Sequence, residues 1–232
     1  MLDILRAGLA EWGLDETKAE TLEAFARLVL EKNRVMNLTA ITDEADFARL
    51  HLLDSAALPR FAAFDGRAVV DVGTGAGFPG VPLRILCPDA RRVTLLDATG
   101  KRVEFLREAC ASLKLAGVNF VCARAEDYAA KKREAFDVAV SRAVAALPAL
   151  CELCLPLVRV GGRFLAMKST QSDAEIKGAA HAVETLGGRI SRTLDYEIPT
   201  SGVTHRLIVI DKIEPTPEEY PRAYSQIKKK PL

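Results

Sequence analysis

Long apolar stretches are missing from this 232-residue chain. None reaches the roughly 18 residues that a bilayer-spanning helix needs, so no membrane span is expected. A secretory leader is not expected either, because Asp3 and Arg6 interrupt the stretch 2–10. Cysteine is sparse: Cys87, Cys110, Cys122, Cys151 and Cys154 are five residues at irregular spacings, which does not make a paired disulfide framework. Cys151-Glu152-Leu153-Cys154 has no second pair to complete a zinc site. It lies in an apolar helical run, so both thiols are expected to pack as small apolar groups. Charge of one sign is not in excess, since 32 Lys and Arg against 31 Asp and Glu leave +1. Bulk charge therefore nominates no partner, and a nucleic acid would have to be held by a local patch. No segment repeats, and no Ser/His/Asp or metal-ligand constellation stands out. Asn37-Leu38-Thr39 matches a glycosylation sequon by chance, and a reduced cytoplasmic setting is the expectation.

What is present is a chain that is 49% hydrophobic, enough for one medium α/β domain with a smaller attachment. Residues 1–62 show helical periodicity, with Leu2, Leu5, Leu9 and Trp12, then Leu22, Phe25, Ala26, Val29 and Leu30, at three- and four-residue steps. A third helix is expected from Asp46 to Leu58, ending at Pro59. From residue 68 the rhythm changes to strand and helix in alternation. Strands are expected at 68–72, 93–97, 118–122, 136–141 and 163–167, and helices at 79–86, 100–115, 147–158 and 172–186. That order implies parallel strands joined by right-handed crossovers. Residues 189–198 and 205–213 read as a closing antiparallel hairpin, which makes seven strands. The expected division is a helical segment 1–62, an α/β domain 63–214 and a basic tail 215–232. Residues 1–65 carry a net −5, and residues 220–232 a net +4.

The first strand leads into Asp71-Val72-Gly73-Thr74-Gly75-Ala76-Gly77-Phe78-Pro79-Gly80. Glycines at 73, 75 and 77 give acid-x-G-x-G-x-G, whereas a dinucleotide fingerprint would want glycine at 78, where Phe78 stands. A pyrophosphate needs backbone N–H groups and a helix N-terminus against it. S-adenosylmethionine has no phosphate. It needs bare backbone for a ribose and a methionyl tail, and an acid to answer its ammonium group. The pattern therefore favours S-adenosylmethionine over a nicotinamide cofactor.

Ligands of open α/β sheets bind beyond the carboxyl ends of the strands. Asp97 closes the second strand, 24 residues beyond Gly73, and can accept hydrogen bonds from both ribose hydroxyls or cap the next helix. Ala125-Glu126-Asp127 follows the third strand; an N–H and a carboxylate there could read an adenine edge, or the acids could form a solvated loop. The fourth strand ends in Ser141-Arg142-Ala143 and lacks the Asn- or Asp-Pro-Pro-aromatic motif of amino-methyltransferases. Arginine only donates, which suits an acceptor with no proton to lose, such as guanine N7. Arg142 is the positioning candidate, on a base, a phosphate or the cofactor carboxylate, with a surface salt bridge as its plain alternative. No catalytic base is assigned. His51 and Asp54 share a helical face, and His181 and His205 read as a surface-helix and a strand residue. Lys131-Lys132-Arg133 reads as a solvated turn, and Lys228-Lys229-Lys230 as either a phosphate-neutralising or a merely solubilising end.

On several of these blocks the chain resembles the bacterial 16S ribosomal RNA guanine-N7 methyltransferase G family, also called glucose-inhibited division protein B. The matching segments are Asn33-Arg34-Val35-Met36-Asn37-Leu38-Thr39-Ala40-Ile41, His51-Leu52-Leu53-Asp54-Ser55, the glycine turn with its Phe-Pro-Gly ending, Leu95-Leu96-Asp97 with Lys101-Arg102-Val103-Glu104-Phe105-Leu106, and Ser141-Arg142-Ala143. The resemblance implies a class I Rossmann-like methyltransferase with a seven-stranded, mostly parallel sheet, acting from S-adenosylmethionine on N7 of one guanosine in 16S rRNA. It implies cofactor contacts at Gly73, Phe78, Asp97, Ala125, Glu126 and Arg142, joined by Asp71, Gly75 and Gly77 from the motif itself. It implies RNA-side positions at Asn37, Lys168 and Arg206. The family's tail carries Gly and Pro between Tyr220-Pro221-Arg222 and Lys230-Pro231-Leu232, and residues 223–227 here do not. A monomer acting on 16S rRNA or the small subunit is expected. The rival readings are a nicotinamide-dependent oxidoreductase and a non-catalytic RNA-binding assembly factor.

Overall fold

The computed structural model describes residues 1–142 and 144–232; Ala143, the last residue of the Ser-Arg-Ala block, lies outside the described residues. The N-terminal segment folds as helices α1 (Leu2–Glu11), α2 (Ala19–Met36), α3 (Glu44–Phe47) and α4 (Asp54–Phe61), the last two joined by a π-helical stretch, Ala48–Leu53. Local chemistry sets their ends. The Asp43 carboxylate accepts the Ala45 and Asp46 N–H groups at 2.9 Å and starts α3. Asn37 closes α2 in the left-handed conformation, φ 49°, which asparagine tolerates better than most residues. The Asn33 side chain then ties down the loop, accepting from Leu38 and Thr39 N–H and donating to Thr39 O. The third helix thus starts two residues earlier than expected and runs past Pro59 to Phe61.

The sheet has seven strands: β1 (Ala68–Val72), β2 (Arg92–Asp97), β3 (Val118–Cys122), β4 (Phe136–Arg142), β5 (Val158–Ser169), β6 (Gly188–Glu197) and β7 (Thr204–Lys212). Their spatial order is β3-β2-β1-β4-β5-β7-β6. The first five pair in parallel, and β7 lies antiparallel to both β5 and β6. The terminal hairpin is therefore present, with its second strand inserted inward and its first on the edge. Burial follows, since Arg206 to Ile210 of β7 are all buried whereas β6 alternates with solvent. The order reverses between β1 and β4, which opens a crevice at their carboxyl ends.

Helices α5 (Gly80–Leu86), α6 (Gly100–Ser112), α7 (Ala125–Lys131), α8 (Leu147–Cys154), α9 (Asp173–Gly178), α10 (Ala180–Thr185) and α11 (Tyr224–Lys229) complete the chain. The expected helices at 100–115, 147–158 and 172–186 are shorter or split, and Val158 already opens β5. No helix was expected between the third and fourth strands, and residues 125–131 form α7. Its short length and single fully buried side chain, Ala129, leave almost no periodic signal.

Strand residues alternate between two cores. Val69, Leu95, Val140, Leu165 and Val209 face one side with Leu5, Phe25, Phe47 and Leu52 of the N-terminal helices. Val70, Leu96, Ala139, Phe164 and Ile208 face the other with Leu150 of α8 and Ile227 of α11. Cys151 and Cys154 are fully buried free thiols in this second core, as their apolar context implied.

Candidate functional site

The glycine turn links β1 to α5 and is held to its neighbour by Gly73 and Thr74 N–H groups donating to Leu96 O at 2.9 and 3.0 Å. Gly73, Gly75 and Gly77 all take positive φ (73°, 58° and 102°), a region that costs other residues strain. Their surroundings differ. A Cβ on Gly75 would enter open space, its nearest neighbour being Gly73 O at 3.9 Å. A Cβ on Gly77 would meet Leu106, Phe25 and Val81 within 2.9 Å, so Gly77 serves the packing of the N-terminal helices against the turn. Asp71 lies beneath the turn, fully buried, and its Oδ2 accepts the Gly80 N–H at 2.8 Å. Burial raises its carboxyl to about 6 against the pull of that hydrogen bond. Asp71 Oδ1 and Thr74 Oγ1 are buried without a hydrogen-bond partner among the described residues.

This arrangement decides between cofactor classes. The first N–H of α5 is already satisfied by the protein's own carboxylate, so the helix N-terminus presents a buried anion where a dinucleotide would place its pyrophosphate.

Asp97 is 7% exposed at the end of β2. Its Oδ2 accepts the Gly75 N–H at 3.0 Å and its Oδ1 the Thr99 N–H at 2.8 Å. The carboxylate thus braces the turn and the approach to α6 together, and each oxygen keeps a lone pair for a hydroxyl donor. A cavity of about 220 Å³ runs from Asp97 past Ala125 and Glu126 to Leu153 and Tyr224. A second, of about 420 Å³, runs from Gly73, Gly75 and Phe78 to Thr39, His51 and Arg142. They share Gly73, Asp97, Arg102 and Val144, and so form one groove across the strand ends. The groove gathers Gly73, Gly75, Phe78, Asp97, Ala125, Glu126 and Arg142, and leaves Asp71 and Gly77 beneath it.

Beyond the turn lies a polar cluster. Asp54, fully buried, accepts from Arg142 Nη1 at 2.7 Å and from Tyr196 Oη at 2.8 Å, and pairs with His205 Nδ1 at 2.8 Å. Burial pushes the Asp54 carboxyl up, but the His205 and Arg142 contacts outweigh it and hold it below its ordinary value. Arg142 also donates to Leu50 O, His51 O and His51 Nδ1, the last at 2.9 Å. Since a guanidinium only donates, His51 Nδ1 must accept, and the ring proton sits on Nε2. That N–H is 2.8 Å from Thr39 Oγ1, which also accepts the Ile41 N–H. The Thr39 hydroxyl proton is thereby left free to point into the cavity. Burial, aided by Arg142, lowers the His51 ring to about 3, so it stays neutral. It stacks on Phe78 with centroids 4.7 Å apart, and the Arg142 guanidinium lies 5.3 Å from the same ring.

The three expected RNA-side residues lie outside the groove lining. Asn37 is an exposed helix end. Lys168 donates to Ala145 O at 2.6 Å and Glu175 at 2.8 Å, tying β5 to the start of α8. Arg206 is engaged by Asp195 and Asp173. None of the three lines the groove. Arg133, expected in a solvated turn, donates to backbone carbonyls of the C-terminal segment. Thr39, Arg102, Val144, Tyr196, His205 and Tyr224 were not foreseen at the site. Thr39 lies two residues past Asn37 in a block already singled out. His205 and Tyr196 reach Asp54 from 151 and 142 residues away, and no local pattern signals that.

The family model for rRNA small subunit methyltransferase G, GidB, matches residues 18–199. The chain belongs to that family. Relatives named ribosomal RNA small subunit methyltransferase G agree along the whole length. The Clostridium tetani protein is 42% identical over 235 residues, covering 99% of this chain and 98% of the relative. The Alkaliphilus oremlandii protein is 44% identical over 236 residues, with the same coverage. Among solved structures, TrmN from Thermus thermophilus superposes with a TM-score of 0.55 at 25% identity, covering 68% of this chain and 48% of that one. An S-adenosylmethionine-dependent methyltransferase from Aquifex aeolicus gives 0.53 at 17% identity over 72% of this chain and 93% of that one, a likeness of fold. The protein is a class I Rossmann-like methyltransferase that uses S-adenosylmethionine to methylate ribosomal RNA. The groove's chemistry is compatible with that cofactor: it holds two carboxylates, Asp97 and Glu126, an open cradle over Gly75, and a helix N-terminus whose first N–H is already taken by Asp71.

Proposed function

We propose that this methyltransferase modifies N7 of one guanosine in 16S rRNA, in the small subunit or its assembly intermediates, as a cytoplasmic monomer. The observation that carries the target atom is the lack, among the described residues, of a usable proton acceptor at the far end of the groove. His51 is the one histidine among the described residues there, and both its ring nitrogens are committed, Nδ1 to Arg142 and Nε2–H to Thr39. A ring nitrogen held near 3 cannot serve as a general base at neutral pH. An amine or hydroxyl acceptor must lose a proton, whereas guanine N7 attacks with a lone pair it already has.

Gly73, Gly75, Phe78, Asp97, Ala125, Glu126 and Arg142 are the residues proposed to hold the cofactor, with Asp71 and Gly77 shaping the turn from below. S-adenosylmethionine, when bound, supplies an activated methyl on a good leaving group. The protein's own task is then to orient and to exclude water. Phe78, His51 and Val144 provide apolar surface for that. The guanine ring gains positive charge as it is methylated, and a bare arginine nearby would oppose this. Asp54 at 2.7 Å neutralises Arg142, so Arg142 can position groups without that penalty. Asn37, Lys168 and Arg206 are proposed on the RNA side; for Lys168 and Arg206 this requires exchange of their present carboxylate partners.

The test is methyl transfer with labelled donor to bare 16S rRNA and to small subunits from cells lacking the modification. One labelled guanosine, methylated at N7, is the expected result. Label on another base, on an exocyclic nitrogen or on protein would overturn the assignment.

A further inference from the structure

The C-terminal segment is anchored where a solubilising end would be loose. Arg133 donates to Tyr220 O at 2.6 Å and to Pro217 O at 2.7 Å. Arg222 meets Glu152 of α8, a fully buried acid, through its backbone N–H and Nε at 2.8 Å and Nη2 at 2.6 Å. Ile227 of α11 is completely buried in the core beneath α8. These contacts fix α11 so that its first residue, Tyr224, lines the cavity that Asp97 and Glu126 also line. Tyr224 and Ile227 are three apart and face inward together, while Lys228 and Lys229 on the same short helix are exposed. The Arg124 guanidinium, just before α7, lies 5.3 Å from the Tyr224 ring and lines the same cavity.

We propose that Tyr224 is a cofactor-site residue: the C-terminal segment, pinned by Arg133 and Glu152, supplies the outer aromatic wall of the adenosine subsite. An aromatic face suits a purine and ignores its hydrogen-bonding edge, which Glu126 and the Ala125 N–H are placed to read. The proposed role belongs to the ring, and the comparison of Tyr224→Ala with Tyr224→Phe separates it from any role of the hydroxyl. Adenosine binding and order in residues 216–230 are consequently coupled. This inference rests on the groove's being the S-adenosylmethionine site.

The test is calorimetric titration of the full chain with S-adenosylmethionine and S-adenosylhomocysteine. Tyr224→Ala should weaken both by about tenfold, the scale of one lost base–aromatic contact. Tyr224→Phe and the neighbouring Ser225→Ala should stay within about twofold of the parent. Hydrogen exchange of the unmodified protein provides a readout independent of any variant's folding, with amides of Tyr224 to Ile227 slowing when S-adenosylhomocysteine binds. Equal affinity for parent and Tyr224→Ala, or no added protection in that segment, would overturn the proposal and leave the groove assignment standing. No binding by the parent would overturn both.

Discussion

Replacing Asp54 with alanine should come close to unfolding the protein, although Asp54 is expected to touch neither cofactor nor RNA. The carboxylate is fully buried and holds Arg142, Tyr196 and His205 at 2.7, 2.8 and 2.8 Å. Its loss strands the Arg142 guanidinium, whose side chain is only 13% exposed. Removing one member of a buried ion pair costs about 3–5 kcal/mol, because the remaining charge is left uncompensated. At 2–4 °C per kcal/mol for a chain of this size, Tm should fall by roughly 6–20 °C. Asp54→Asn keeps an acceptor for Tyr196 and should cost less. The decisive assay is a double-mutant cycle by urea unfolding. If Asp54 stabilises chiefly by answering Arg142, then Asp54→Ala in an Arg142→Ala background should be milder by about 1–3 kcal/mol. Additivity within about 0.5 kcal/mol would refute the reasoning. The carboxyl is held below its ordinary 3.8, so its contribution is present above that pH and fades as pH falls further.

Other outcomes follow from the same geometry. His51 is lowered from 6.5 to about 3, so the unfolded chain binds a proton that the native ring refuses, and stability should decline as pH drops through that window. Nitrogen NMR should show a neutral His51 protonated on Nε2 from pH 5 to 8, on the order of two units above its native value; a charged ring at pH 6 would contradict this. Gly80→Ala would place a Cβ 2.4 Å from Leu95 Cδ2 and 2.6 Å from Asp71 Oδ2, and should cost about 1–3 kcal/mol in chemical denaturation. Gly75→Ala, with a clear Cβ position but φ of 58°, should lose about 1–2 kcal/mol of stability and also cofactor affinity, because the methyl occupies the groove. Thr39→Val strands the His51 Nε2–H and the Ile41 N–H and should cost about 1–3 kcal/mol in chemical denaturation, with Thr39→Ser restoring most of it; an unchanged unfolding midpoint would contradict the acceptor role of the Thr39 hydroxyl.

The parts of this molecule that could be read from the chain are those with short-range causes. Strands β1, β2 and β4 are apolar runs that show within five to seven residues. The glycine turn announces itself because positive φ at three alternate positions requires glycine. Asp97 was open to two readings, and the structure shows a carboxylate that braces backbone N–H groups on both sides while lining the groove. What stayed hidden is long-range. The expected hairpin left open which strand lies inside, although the continuous apolar run Leu207-Ile208-Val209-Ile210 in β7, against the alternation of β6, is the pattern of a strand buried on both faces. The Asp54 cluster joins residues from α4, β4, β6 and β7, and Asp54 itself looks like an ordinary helix-face acid. The tail's composition says basic and polar, and only Ile227 and Tyr220 hint that it docks. Lys168 and Arg206, which the family resemblance marked for the RNA side, are engaged here by Glu175 and by Asp195 and Asp173, pairings that no local pattern signals.

The central claim is that the groove over Gly73, Gly75, Asp97 and Glu126 binds an adenosyl sulfonium compound and not a dinucleotide. Calorimetric titration of the full-length protein with S-adenosylmethionine and with NAD, side by side, tests it most directly. Saturable one-site binding of S-adenosylmethionine and no heat from NAD is the predicted result. Binding of NAD, or none of S-adenosylmethionine, would contradict it.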